Sequence, residues 1–435
     1  MRGQGYDGAP AMSGKFKGLQ NLIRQHNPLA FYIHCASHSL NLALSDASEV
    51  QEIQNCFDLI KKIWYFFQSP VRQNKLESCI QEIYPESKKT KLVQMCATRW
   101  VERHDAVFVM CDLFEAVVTT LDELSHSNNY KTASDSRIIL CSMKESKFLV
   151  SLITTEKLLS YTLKLSKKLQ TVYSDLFYAV THAESVVNRI KELRKDSVKE
   201  FNILFDEVVK KAEFLKCNVQ LPRRVGSFRN NVEAVNEEEY FRRSIFIPYV
   251  DYLISAITER LLSHKNLFKN FSILLMLPDN FIKIINPSSK KKISKKKIKQ
   301  ETEKSFLELV ETYKEDLLTD NYKILIAELE LWHKNLKKYS KLPKNAIHVL
   351  NLCKKDAFPN IEILLRIFVT LPVTTCTAER SFSTLRFVKP FLRSTMGECR
   401  LNGLASLYIH RDIFIEPEEV ILIFKQNPRR LDFNL

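Results

Sequence analysis

The sequence predicts a mainly α protein with a small α/β part, and three observations carry that reading. Apolar residues recur at helical spacing over long stretches: in LLSYTLKLSKKLQTVYSDLFYAVTHAESVVNRIKELRK, Leu158, Leu165, Leu169, Val172, Leu176 and Val180 trace one stripe. Runs with strand character are few, FYIH at 31–34 and LVQMC at 92–96, too few for a sheet of their own. Glycine is concentrated at the start, where five of the eight residues fall at 3, 5, 8, 14 and 18, so the opening reads as loop and the remainder as regular structure.

Composition narrows the function classes. With 435 residues, 45% hydrophobic and 26% charged, the chain buries a large core and is expected to fold as two or three units. No apolar run approaches the roughly 20 residues that span a bilayer, and MRGQGYDGAP lacks the apolar centre of a signal peptide, so neither a membrane partner nor secretion is expected. The ten cysteines are scattered without a Cys-x-x-Cys, which suggests neither a disulfide framework nor a four-thiolate zinc site and points to a reducing compartment. A formal net charge of +15 favours a polyanionic partner, most simply nucleic acid, although charge governs association and not fold. Nothing calls for a small-molecule substrate or a cofactor.

Taken in order, four stretches and a lysine tract carry candidate chemistry. In GQGYDGAPAMSG (3–14), the lone acid Asp7 lies between Gly5 and Gly8. A carboxylate with small neighbours suits a divalent cation if it stands at a strand end, and is otherwise part of a loose terminus. In YIHCASHSLNLAL (32–44), Cys35 and His38 share one helix face beside the stripe of Ala36, Leu40, Ala43 and Leu44. Two ligands do not make a structural zinc site, which needs four, so the pair reads as packing and hydrogen bonding. In CATRWVERHDAV (96–107), Arg99 and Trp100 set a guanidinium beside an indole, a pair that can stack a base and hold a phosphate, or that is simply core. The tract SSKKKISKKKIKQ (288–300) holds Lys290, Lys291, Lys292, Lys295, Lys296, Lys297 and Lys299 and reads as a solvated linker, a phosphate-binding patch or a nuclear-import signal. From Leu371 to Ile413, Thr375 or Thr377 is expected to cap a helix bearing Glu379, with Phe382, Leu385 and Val388 turned to a core. Thr395 to Glu398 has the form of a capping box, opening a helix that buries Leu401, Leu404, Ala405 and Tyr408.

The order of these stretches is more specific than any one of them: Gly-x-x-x-Asp-Gly, then Cys-x-x-His-x-Leu-Asn-Leu, then Thr-Arg-Trp, then Ala-Glu-Arg-x-Phe-Ser and Leu-Arg-Ser-Thr-Met. In this the chain resembles the hAT superfamily of DNA transposases and their domesticated descendants, in particular the zinc-finger MYM-type and related transposon-derived proteins. The resemblance covers nearly the whole chain. It implies an RNase H-like catalytic domain interrupted by a large helical insertion, with three acids holding two Mg²⁺ or Mn²⁺ ions. By resemblance, Asp7 answers to the second acid and Glu379 to the third, Cys35 and His38 belong to the core around the active site, and Arg99 and Trp100 contact DNA. The C-terminal segment answers to the dimerisation region, with Leu401, Leu404, Ala405 and Tyr408 as candidate contacts.

The implied division is a remnant of the RNase H-like core at 1–45, a helical insertion at 46–355 containing the basic linker 288–300, and a C-terminal RNase H-like piece with the dimerisation region at 356–435. In the family the first acid lies well upstream of the second, and here only six residues precede Asp7. The chain is therefore expected to be N-terminally truncated and catalytically incomplete, a self-associating, transposase-derived nuclear protein with weak DNA binding. A fragment of an active metal-dependent transposase is the alternative, and a helical scaffold with incidental charge a third reading.

Overall fold

The computed structural model describes residues 1–14, 16–45, 50–95, 100–169, 176–222, 234–262, 265–285, 294–339, 345–372, 382, 385, 387–390 and 395–426. The protein is mainly helical, as expected, and divides into two compact units, Met1–Thr374 and Thr375–Leu435.

The first unit opens on strand β1 (Gly3–Tyr6), helices α1 (Pro10–Ser13) and α2 (Leu19–His26), strand β2 (Phe31–His34) and helix α3 (Ala36–Ser45). The strands pair in parallel, with Gly3 opposite Phe31 and Tyr6 opposite His34. One expectation fails here, because the opening is not all loop. GQGY has little strand propensity of its own, and its neighbours supply what it lacks. The Gln4 amide donates to the carbonyls of Gln20 and Ala30 at 3.0 and 2.9 Å, fastening α2 and the turn before β2 to the strand. Gly3 and Gly5 leave room for the chain at 371–372: a Cβ on Gly5 would stand 2.6 Å from Pro372 Cγ, and one on Gly3 2.6 Å from Leu371 Cδ2. FYIH is a strand as its composition suggests. LVQMC is not, for residues 92–95 form no strand and Cys96 lies outside the described residues.

Ten helices follow: α4 (Gln51–Phe66), α5 (Pro70–Ile83), α6 (Trp100–Asp112), α7 (Phe114–Ser125), α8 (Tyr130–Met143), α9 (Ser146–Leu169), α10 (Leu176–Lys195), α11 (Ser197–Phe214), α12 (Glu237–Phe241) and α13 (Ile247–Leu261). They close over one hydrophobic core in which Ile53, Val107, Leu149, Phe201 and Phe246 are fully enclosed. Of the stripe that signalled helix, Leu158, Leu165 and Leu169 are buried on α9 and Val180 on α10, whereas Val172 lies outside the described residues. His104 on α6 reaches Thr162 on α9 at 2.9 Å, a buried polar pair that fixes the register of the two helices.

A second core is built by α14 (Lys265–Leu275), α15 (Pro278–Ile285), α16 (Lys295–Thr312), α17 (Tyr322–Leu336), α18 (Ala346–Leu352) and α19 (Pro359–Thr370), with Ile33 of β2 in it. The last carbonyls of α14 have no partner inside their own helix, and α17 supplies them. Trp332 Nε1 donates to Leu274 and His333 Nε2 to Ile273, both at 2.9 Å. Helix α19 carries Ile361, Leu364, Leu365 and Phe368 into this core and delivers Leu371 and Pro372 to the face of β1.

In the second unit the described helices are α20 (Glu398–Ile409) and α21 (Pro417–Lys425). Three expectations are corrected in this unit. Gly397 is the N-cap of α20 with no side-chain capping bond, so the Thr395 to Glu398 box does not form: the helix starts two residues later than the box requires. Leu401, Leu404, Ala405 and Tyr408 are not buried, and α20 has no buried residue along its length. Val388 is buried, Leu385 only half-buried, and Phe382 is 70% exposed. The apolar side chains of these helices outnumber what a unit this small encloses.

Candidate functional site

Asp7 follows the last residue of β1, so its carboxylate stands at the C-terminal end of a parallel strand and not in a loose terminus. The side chain is exposed, and its Oδ1 accepts from the Ala9 N–H at 3.2 Å, which holds the turn out of the strand. Tyr32 and His34 project from the same face of β2, as strand alternation requires. Tyr32 Oη donates to the Asp7 carbonyl at 3.3 Å. Tyr6, Tyr32, His34 and His38 then form a ladder of rings, with successive centroids 6.2, 6.3 and 5.5 Å apart.

Gly8 fits into this ladder because it has no side chain. A Cβ there would lie 3.0 Å from His34 Cε1 and Nε2 and 3.6 Å from His38 Nε2. His34 Nε2 is buried with no hydrogen-bond partner among the described residues. Burial, reinforced by His38 and Arg260, pushes the His34 pKa below its ordinary 6.5, with Cys35 and Asp7 opposing, so the neutral ring is favoured. Burial and the Asp7 charge push the Tyr32 hydroxyl up. The sequence reading missed His34 and Tyr32. Their signal was the alternation of FYIH, which sets both on one face beside the turn that carries Asp7.

Cys35 is 2% exposed, and its N–H donates to the Tyr6 carbonyl at 2.9 Å, continuing the strand ladder into the start of α3. His38 is half-buried one turn on, and Leu40, Ala43 and Leu44 face the first core, where α3 packs on α13. Among the described residues no three His, Cys, Asp or Glu side chains gather as a metal-binding group. Glu379 lies outside the described residues, so those that are described do not assemble a site for Mg²⁺ or Mn²⁺.

Arg99 likewise lies outside the described residues, and Trp100 opens α6. Of the lysine tract, Lys290, Lys291 and Lys292 lie outside, while Lys295, Lys296 and Lys297 form the exposed first turn of α16, capped by Ser294, whose hydroxyl accepts from the Lys297 N–H. In the second unit, Tyr408 stacks on Phe387 with centroids 6.1 Å apart, and the Arg411 guanidinium sits 3.7 Å over the Tyr408 ring. These contacts hold Tyr408 while leaving 36% of it exposed, and Leu407 and Ile409 stand 57% and 43% exposed beside it.

Residues 350–413 match the hAT family C-terminal dimerisation region. Over 427 residues the chain is 27% identical to the human 52 kDa repressor of the inhibitor of the protein kinase, covering 95% of this chain and 53% of the relative. The mouse protein of the same name is 27% identical over 430 residues with the same coverage. The chain thus spans about half the length of the curated relatives it matches. These findings support a hAT-derived protein. No helix among the described residues is long and apolar enough to cross a membrane.

Proposed function

We propose that this chain is a transposase-derived protein whose C-terminal region joins two copies, and whose basic surface binds DNA without strong sequence preference. One observation carries the first part: α20, inside the matched dimerisation region, bears Leu401, Leu404, Leu407, Tyr408 and Ile409 and buries none of its residues. Charged substitutions at Leu404 and Tyr408 should lower the particle mass in light scattering while the helical circular dichroism stays unchanged. A wild-type chain that is monomeric at micromolar concentration overturns the reading. So does a substitution that unfolds the chain, because Leu404 and Tyr408 would then be intrachain core.

DNA binding is the second part, supported by the +15 net charge and the exposed lysines at 295–297. Arg99, Trp100, Lys290, Lys291 and Lys292 complete the proposed contact set, and the lysine tract with a DNA partner makes the nucleus the proposed location. If the protein neutralises about four phosphates, affinity should fall roughly a hundredfold between 50 and 200 mM salt, and the DNA should stay uncut with Mg²⁺ or Mn²⁺ present. Affinity that ignores salt removes the DNA reading.

An RNase H-like remnant around β1 is supported by the parallel pairing and by the approach of residues 371–372 to the strand that leads to Asp7. In that reading Asp7 and Glu379 are vestigial. The alternative, part of an active hAT transposase, draws on the same place of Asp7 at the strand end. Metal-dependent cleavage abolished by Glu379→Gln would establish it.

A further inference from the structure

We infer that the acidic, apolar helix α21 of one copy docks into a lysine-rimmed groove between α16 and α17 of a second copy. This rests on the self-association reading and adds a second contact to it, because α21 lies beyond the residues 350–413 that match the dimerisation region.

The groove is a cleft of about 260 Å³ within the first unit. Pro278, Ile298, Ile326 and Leu329 make an apolar floor, and Lys295, Lys334 and Lys337 stand on the rim. Lys299 also lines it, paired with two acids that line it as well, 2.8 Å from Glu330 and 3.7 Å from Glu303. No carboxylate lies within ion-pair distance of the other three among the described residues, and all three ammonium groups are exposed. On the groove wall Thr302 is 5% exposed, and its hydroxyl is buried without a hydrogen-bond partner. A phosphate backbone would use the rim and waste the floor. An occupant that fits both presents carboxylates flanking aliphatic side chains.

The chain itself displays such a segment. In EPEEVILIF, Glu416, Glu419, Val420 and Ile423 fall at i, i+3, i+4 and i+7, so they share one face of α21 and its cap. Both acids are exposed, and Val420 and Ile423 are 51% and 62% exposed. Val420 and Ile423 match the floor, and Glu416 and Glu419 match Lys295, Lys334 and Lys337. The helix-in-groove geometry is that of an amphipathic peptide on a receptor, here offered by identical copies so that each gives a helix and receives one.

Charge reversal tests this on the full chain. Glu416→Lys with Glu419→Lys, and separately Lys334→Glu with Lys337→Glu, should each raise the dimer Kd about tenfold or more by setting like charges against each other in both contacts. An equimolar mixture of the two variants should return to about the wild-type Kd, because each lysine helix then meets a glutamate groove and each glutamate helix a lysine groove. All four side chains are on the surface, so circular dichroism should be unchanged. Variants that leave the Kd unaltered, or a mixture that fails to recover it, overturn the inference. If the groove variant lowers only DNA affinity, the groove serves nucleic acid and the inference also falls. Charged substitutions at Leu404 and Tyr408 stay informative whichever way this goes: if they dissociate the dimer while the reversals do not, the self-association reading stands and only the α21 contact is lost.

Discussion

Replacing Glu328 by alanine should lower the unfolding free energy of the first unit by about 3–5 kcal/mol, because this one carboxylate completes the start of α19 from another helix. Helix α19 begins with Pro359, which has no N–H, and its N-cap Phe358 offers no side-chain acceptor. The next two donors are met by Glu328, whose Oε1 accepts from Asn360 N at 2.9 Å and Ile361 N at 3.0 Å. Its Oε2 accepts from Asn360 Nδ2 at 2.8 Å, and Asn360 Oδ1 accepts from the Leu318 N–H at 2.8 Å. Glu328 and Asn360 are only 8% and 3% exposed, so water cannot easily replace the carboxylate. The negative charge also faces the positive end of the α19 dipole. Alanine would leave two backbone donors and an amide buried without acceptors, each costing about 1–3 kcal/mol before relaxation. Glu328→Gln should cost less, since one oxygen can still accept, though its amide must face a donor. Urea unfolding of the three proteins decides the matter: a loss under about 1 kcal/mol for the alanine variant would mean that water caps the helix instead.

Glu328 also shows where sequence reading stops. Within ILIAELELWHKNL it has the pattern of a charge on the outer edge of an amphipathic helix, and nothing local says that the donors it serves are 32 residues away. Local periodicity did carry the helices: the apolar residues of α9 and α3 were visible at helical spacing, and each packs into the first core. The strand β2 was visible because FYIH is aromatic and β-branched. Its partner was hidden, because Gly3-Gln-Gly-Tyr6 is a strand only through contacts with residues 20, 30, 31–34 and 371–372.

The candidate site divides in the same way. Asp7 and the Cys35 and His38 pair stood out by residue type, whereas His34 joined them only once the register of two strands was known. In the second unit the helix carrying Leu401, Leu404, Ala405 and Tyr408 was visible in the sequence, but periodicity identifies an apolar face without saying what covers it. The residues expected to be buried on α20 are half-exposed or exposed.

Gly5→Val should cost about 3 kcal/mol and detach β1 from its place beneath residues 371–372, an overpacking effect at a point where nothing can yield. A Cβ at residue 5 would stand 2.6 Å from Pro372 Cγ and 2.7 Å from Pro372 Cβ, both in a rigid ring, and 3.5 Å from the Ile33 carbonyl of the paired strand. The β carbon is therefore caught between a closed ring and the sheet's own backbone. Gly3 makes the control. Its nearest obstacle is Leu371 Cδ2 at 2.6 Å, the end of a flexible side chain that can change rotamer, although Pro372 Cδ follows at 3.3 Å. Gly3→Ala should accordingly cost less than Gly5→Ala, although both sites lie in one short strand and remove the same backbone entropy. Valine's strand propensity would predict the reverse sign at residue 5, a gain of a few tenths of a kcal/mol, so the two effects separate cleanly. Because Asp7 is two residues downstream, loss of β1 should also release the Tyr32 hydroxyl from the Asp7 carbonyl and raise amide exchange over residues 3–6 and 31–35. Equal destabilisation by Gly3→Ala and Gly5→Ala, or a stabilised Gly5→Val, would show that the strand does not lie against Pro372, and with that the approach of residues 371–372 to the Asp7 turn would be lost.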